Sequence, residues 1–171
     1  MVELDDVDVR ILIELQKDSR RSYRDIARAI GVATGTVYNR IKSLTEAGVI
    51  TGYASVIDAS KVGYELTALI LLQVAGKHLM DTEREIAKFG NVFCVYDITG
   101  EFDAAILAKF RSREEMNGFI KRLVAMPHVK RTVTSFVLNV VKEDFRVDLA
   151  PVLGKAKGRA NRPQPGSSPM S

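Results

Sequence analysis

One cysteine, Cys94, and two histidines, His78 and His128, are all that this 171-residue chain offers of the side chains most often used for disulfides and transition metals. An internal disulfide framework and any multi-cysteine metal site are therefore excluded, which suits a reducing compartment. The two histidines lie far apart in sequence, no metal-ligand spacing or nucleophile elbow is present, and Cys94 sits among apolar residues with nothing beside it to stabilise a thiolate. Long apolar runs are missing too. The longest, Leu66 to Ala75, is interrupted by Thr67 and Gln73 and is too short to cross a bilayer, and the opening MVELDDVD is acidic, unlike a secretory signal. A cytoplasmic location without membrane contact is expected. There is no internal repeat, and no catalytic or cofactor-binding constellation, so an enzyme is not the expected reading.

What is present is an ordinary soluble composition, 46% apolar and 27% charged, enough for one or two small domains with real cores. The formal charge of +4 is concentrated. Met1 to Ala54 and Ser55 to Leu149 are each balanced, so the excess resides in Lys155, Lys157, Arg159 and Arg162. Residues 147–171 are rich in Pro, Gly, Ser and base, and are expected to be a disordered tail. Within the N-terminal part the signs segregate. Glu3, Asp5, Asp6, Asp8, Glu14 and Asp18 precede Arg20, Arg21, Arg24, Arg28, Arg40 and Lys42, and the second group reads as a local basic surface suited to phosphates.

That basic group coincides with SYRDIARAIGVATGTVYNRIKSL, Ser22 to Leu44, which reads as two short helices around a tight turn. Ile26, Ala27 and Ile30 form one apolar stripe and Val37, Ile41 and Leu44 another. Gly31 lies between them, where a sharp turn calls for positive φ, and Ala27 is small where the helices must approach. This spacing is that of a DNA-binding helix-turn-helix. A preceding helix over about Asp5 to Asp18 supplies a third packing element, and Ile50 to Asp58 alternates enough for a hairpin or extended wing, from which Thr51, Tyr53 and Ser55 could touch phosphates.

After a connection at 56–64 the pattern changes. LTALILLQVA, NVFCVYDIT, FDAAILAKF and VKRTVTSFVLNVVK read as strands, with HLMDTEREIAKF and SREEMNGFIKRLVAM as helices between them. The order is βαββαβ, so the fold class is α+β: a winged helix-turn-helix over 1–55 followed by a ferredoxin-like domain over 65–146. Ser112 and Glu115 predict a capping box on the second helix of that domain. Two helices cover one sheet face only, yet the first strand is apolar on both, which predicts a homodimer through the sheets; packing on the N-terminal module is the alternative.

Taken together, LDDVDVRILIELQKDSRRSYRDIARAIGV, TVYNRIKSLTEAGVITGY and ITGEFDAAI, in this order across Leu4 to Phe145, resemble the Lrp/AsnC family of transcription regulators, the feast/famine regulators. The resemblance implies an N-terminal helix-turn-helix and a C-terminal ferredoxin-like, RAM-type domain that dimerises and often binds amino acids, with further assembly frequently to octamers. Many relatives have Ser where this chain has Ala33 at the start of the recognition helix; Thr34 is expected to take over as N-cap by a one-residue shift.

The expected partner is double-stranded DNA. Helical spacing turns Gly35, Tyr38, Asn39 and Lys42 away from the core. Asn39 suits a bidentate pair with adenine, Thr34 and Tyr38 suit base edges or a thymine methyl, and Thr36 belongs to the same first turns. Ser22, Tyr23, Arg24, Arg40 and Lys42 suit phosphates. The candidate effector site is the hairpin Thr99, Gly100, Glu101, Phe102 and Asp103. Asp103 suits the ammonium of an amino acid, and Thr99 with the Gly100 amide its carboxylate. The resemblance adds last-strand residues, here Thr132 and Thr134, at a subunit interface. An ordinary glycine turn with two solvent-facing threonines is the other reading of these residues. Two other classes stay weaker. A ferredoxin-like enzyme of the acylphosphatase kind would need an arginine that AGKHLMD lacks, and an RNA-recognition module would need stacking aromatics that FDAAILAKF lacks in its centre.

Overall fold

The computed structural model describes residues 2–153, which fall into two compact units: residues 2–55 together with 144–153, and residues 56–143. The first unit is built on three helices, α1 (Asp6–Lys17), α2 (Tyr23–Ile30) and α3 (Thr34–Glu46). Helix α1 begins at a reciprocal cap. The Asp5 carboxylate accepts the amides of Val7 and Asp8 at 2.9 Å, and the Asp8 carboxylate accepts the Asp5 amide at 3.1 Å. Helix α2 starts at Ser22, whose hydroxyl accepts the Asp25 amide at 3.1 Å, and stops at Gly31, φ 74°, whose amide donates to Ala27 at 2.9 Å. This left-handed residue is what brings α3 across α2 so soon. Ile11, Leu15, Ile26, Ala27, Val37, Ile41, Leu44 and Ile50 form the shared core.

Burial alone would raise the Asp5 carboxyl, but the backbone amides of Asp8 and Val7 and the charge of Arg40 outweigh it and hold the pKa below its ordinary 3.8. The folded unit thus binds this proton less tightly than the unfolded chain does. The resulting stabilisation is complete at neutral pH and is lost as pH falls through 3.8 and below. Urea unfolding of Asp5→Asn should therefore change less between neutral pH and about pH 3 than that of the parent chain.

The second unit carries β1 (Leu66–Val74), α4 (Leu79–Ile86), β2 (Val92–Asp97), β3 (Ala104–Phe110), α5 (Arg113–Ala125) and β4 (Val129–Phe136). All pairings are antiparallel in the order β2-β3-β1-β4, the expected ferredoxin-like arrangement. Side chains alternate strictly. Ala68, Ile70, Leu72 and Val74 of β1 and Ala104, Ile106, Ala108 and Phe110 of β3 are buried with Ile86, Met116, Phe119 and Leu123 of the two helices. Val74 thus belongs to the helix-facing set. The other face, turned away from α4 and α5, carries Leu69, Leu71, Leu107 and Val133. Ser112 caps α5 by accepting the Glu115 amide at 3.1 Å, while the Glu115 carboxylate accepts the Arg111 amide at 2.7 Å. The two histidines meet where the turns before α4 and β4 come together, their rings stacked 3.5 Å apart, with His128 at φ 74°.

Two expectations are corrected. No strand forms over residues 51–58, so of the hairpin or extended wing expected there the hairpin is absent among the described residues, and Val56 is fully exposed. Residues 147–153, assigned to a structureless tail, hold a turn of 3₁₀ helix at Ala150–Val152, with the Asp148 carboxylate accepting the Ala150 amide at 2.9 Å. The rest of that expectation, from residue 154 on, lies outside the described residues.

Candidate DNA-reading surface and ligand hairpin

Helix α3 buries Val37, Ile41 and Leu44 and leaves Thr34, Gly35, Tyr38, Asn39 and Lys42 exposed. Thr36 and Arg40 flank this face and are half-buried. Ser22, Tyr23 and Arg24 stand exposed at the start of α2, and the Tyr23 ring meets the Tyr38 ring edge-on at 6.0 Å. Tyr53 closes the group. With Tyr23, Tyr38, Lys42 and Thr45 it lines a recess of about 370 Å³, and partial burial, then the neighbouring Tyr23, push its phenol up. The sequence reading placed Tyr53 on a wing; its role as the third wall of an aromatic recess depends on where the chain returns after α3.

The start of α3 differs from expectation. The N-cap is Ala33 (φ −70°, ψ 147°), with no side-chain cap, and the shift to Thr34 does not occur. Ala33 already holds the extended cap conformation, and Gly31 fixes the chain just before it, so the helix begins on schedule without its hydroxyl. Its first amides are left to solvent or to an anion. Ala33→Ser should supply the missing acceptor and raise the unfolding free energy of this unit by about 1 kcal/mol, read from denaturant midpoints.

Arg40 also departs from its assigned place. Its guanidinium lies 2.7 Å from the Asp5 carboxylate and 3.3 Å from that of buried Asp8, so it ties α3 to the start of α1. Nor does the basic cluster stand apart from the acids. Arg21 pairs with Glu14, Arg20 with Asp18, Arg28 with Asp25 and Lys42 with Glu46, leaving Arg24 without an ion pair within 4 Å among the described residues. Most of these pairs are exposed, are worth at most about 1 kcal/mol each, and can be exchanged for phosphate.

In the second unit the hairpin between β2 and β3 turns through Gly100 at φ 126°, beside exposed Thr99 and Glu101. Asp103, the expected ammonium partner, also has a structural role through one of its carboxylate oxygens. Its carboxylate accepts the Val74 amide at 2.8 Å, where the β1 register shifts, and its own amide donates to Leu72 at 2.8 Å. Thr132 and Thr134 pair across from Leu72 and Ile70, which puts them on the helix-facing side. Residues that do meet the hairpin are Gln73 and Arg131, a cross-strand pair. Gln73 donates to the Glu101 carbonyl at 2.7 Å, and Arg131 donates to the Glu101 carboxylate at 2.9 Å and lies over the Phe102 ring at 5.4 Å. The sequence reading missed both. Their parity with Leu71 and Val133 would have indicated them once the β1–β4 register was known.

Residues 4–45 match the AsnC-type helix-turn-helix domain and residues 67–147 the Lrp/AsnC ligand binding domain. The chain belongs to the Lrp/AsnC family of transcriptional regulators. An uncharacterised HTH-type transcriptional regulator of Pyrococcus furiosus is 50% identical over 147 residues, 86% of this chain and 99% of the relative. The HTH-type regulator Ptr1 of Methanocaldococcus jannaschii is 30% identical over 147 residues, 85% of this chain and 99% of its own length. Among solved structures, a Neisseria meningitidis transcriptional regulator in complex with L-Met superposes with a TM-score of 0.81 at 25% identity, covering 88% of this chain and 99% of that one. LrpC of Bacillus subtilis gives 0.73 at 26% identity, covering 84% and 100%. This Lrp/AsnC regulator therefore pairs a helix-turn-helix unit with a ligand-binding α/β unit, and no described helix is long and apolar enough to cross a membrane.

Proposed function

We propose that this Lrp/AsnC regulator works in the cytoplasm as a homodimer, or a higher assembly such as an octamer, that reads a duplex operator with α3 in the major groove. The observation that carries the reading is the outward face of α3, where Gly35, Tyr38, Asn39 and Lys42 stand exposed on a helix locked by a buried opposite face. Asn39 reads adenine, Tyr38 and Thr34 meet base edges, and Ser22, Tyr23, Arg24 and Lys42 hold phosphates with the uncapped amides at the start of α3. Arg40 acts behind them as the brace between α1 and α3. Dimerisation uses the sheet face turned away from α4 and α5, bearing Leu69, Leu71, Leu107 and Val133, and the apolar strand extension in which Leu138 is 97% exposed. An amino acid or related metabolite acts at the Thr99–Phe102 hairpin, as the likeness to an L-Met-bound regulator supports. There Glu101 and Arg131 supply charges of both signs for a zwitterion, with Thr99 and the Gly100 amide as donors.

Selection of bound sites from random duplex DNA tests this. A palindromic motif with half-sites one helical turn or a multiple apart is expected, and enrichment of no motif would overturn sequence reading. Calorimetric titration with the twenty amino acids, with assembly size followed in parallel, tests the effector; heat from none of them would remove the amino-acid version.

A further inference from the structure

Between Met1 and Ser55 every aromatic residue is a tyrosine, Tyr23, Tyr38 or Tyr53, and none of them belongs to the core of the first unit, which is aliphatic throughout. All three instead line one recess of about 370 Å³, together with Ile41, Lys42 and Glu46 of α3. Tyr53 arrives there by a local route. Gly48 at φ 69° turns the chain back after α3, and the amides of Val49 and Ile50 both donate to the Leu44 carbonyl, at 2.9 and 3.1 Å. The rings stay between 42% and 55% exposed, and their hydroxyls have no hydrogen-bond partner among the described residues. A tyrosine held for packing buries its ring and satisfies its hydroxyl, and these do neither.

We propose that this recess grips the sugar–phosphate backbone of the operator strand beside the groove that α3 enters, with Tyr53 as a DNA contact of its own, its hydroxyl donating to a phosphate oxygen and its ring packing on the deoxyribose. The proposal rests on duplex reading by α3 and adds to it an uncharged hold on the backbone. Three properties of the recess select this occupant. It is continuous with the reading face, because Tyr23, Tyr38 and Lys42 belong to both. Its walls are half-exposed, whereas a free metabolite needs most of its surface enclosed; a polymer lying along the recess does not. Its chemistry sets ring faces, for the C–H edges of a sugar, beside phenol donors and an ammonium for phosphate oxygens. Desolvation first, then the nearby Tyr23, raises the Tyr53 phenol, so it stays protonated and remains a donor throughout the neutral range. Glu46 is the one acid among the lining residues, a turn beyond Lys42 and 3.9 Å from its ammonium, which puts phosphate toward Tyr38 on the other side of Lys42.

The test compares the full chain with Tyr53→Phe, which keeps the ring and removes only the donor, for affinity to the selected operator and to a random-sequence duplex over a salt series. Both duplexes should weaken by about 10-fold per DNA-bound unit. The ratio between them and the slope of log affinity against log salt should stay as in the parent, since an uncharged donor releases no counterion. The unfolding midpoint should also stay, because the Tyr53 ring is 55% exposed and its hydroxyl ties nothing in the fold. Operator duplexes carrying single methylphosphonates locate the contact. One backbone position per half-site should weaken the parent and weaken Tyr53→Phe no further. Parental affinity of Tyr53→Phe for both duplexes overturns the proposal, leaves reading by α3 intact and gives the recess to another occupant. A loss confined to the operator also overturns it, since the hydroxyl would then read a base. Weaker binding that comes with a matching drop in the unfolding midpoint overturns it too, the hydroxyl being structural. Failure of the parent chain to bind either duplex overturns both readings together.

Discussion

Leu71→Glu should convert the proposed dimer into a monomer that still folds. Leu71 sits mid-strand on β1, the central partner of both β3 and β4, with Ala105 and Val133 as its cross-strand neighbours on the face turned away from α4 and α5. In an isolated chain a glutamate there faces water, and its cost to the fold is limited to a β-propensity difference within about 1 kcal/mol. In an isologous interface the same change appears twice. Each carboxylate then loses hydration on an apolar face, several kcal/mol apiece by order of magnitude. A typical interface of about 1,600 Å² has no such reserve once two such penalties are subtracted. Sedimentation should show the monomer mass, and thermal unfolding should show a cooperative transition retained. Operator affinity should fall by about two to four orders of magnitude, because two half-site contacts no longer act in one molecule. A Leu71→Glu chain that sediments as the parent does would place the interface elsewhere.

Sequence carried far wherever an interaction closes within a few residues. The cap at Ser112 joins residues three apart, and Gly31 closes α2 onto Ala27 one turn back. Strand alternation gave the βαββαβ order for the same reason. Most of the misses are long-range. Asp103 has the chemistry of an ammonium ligand, and what its sequence position did not disclose is that it also accepts the Val74 amide from 29 positions away, at the register shift in β1. Thr132 and Thr134 do share a face, as their spacing requires, but which face is a property of their pairing with β1 and not of β4 itself. Arg40 looked free because its partners Asp5 and Asp8 lie on another helix. The segregation of acids before bases along the chain is likewise undone in space, where the helices lay one group against the other. At the start of α3 the failure is of a different kind. Helices usually begin at a side-chain cap, but one whose flanking backbone is already extended, as at Ala33, forms without it.

Asn39→Ala should separate base reading from phosphate holding. Asn39 stands exposed on the face of α3 opposite Val37, Ile41 and Leu44, where its amide contributes nothing to the core. Truncating it should leave the unfolding midpoint within a few tenths of a kcal/mol of the parent or raise it slightly, since alanine is the better helix former. A bidentate amide–adenine pair discriminates by about 1–3 kcal/mol, so affinity for the selected operator should fall roughly 5- to 150-fold per half-site while affinity for random duplex stays the same. Selection repeated with the variant should return a motif relaxed at one position in each half-site. Lys42→Ala is the contrasting case. Its ammonium, 3.9 Å from Glu46, is free to exchange that partner for a phosphate, so both duplexes should weaken alike and the salt slope should drop by about 1. Arg40→Ala distinguishes the brace from the reader, because it leaves the buried Asp8 carboxylate without its cation. Its first effect should therefore be on unfolding, with α3 loosened from α1, and any loss of DNA affinity should follow that instability instead of base identity. If Arg40→Ala instead flattened the salt slope with no change in unfolding, the guanidinium would leave Asp5 and Asp8 for phosphate on binding. The acids at the start of α1 would then compete with DNA for the recognition helix instead of holding it in place.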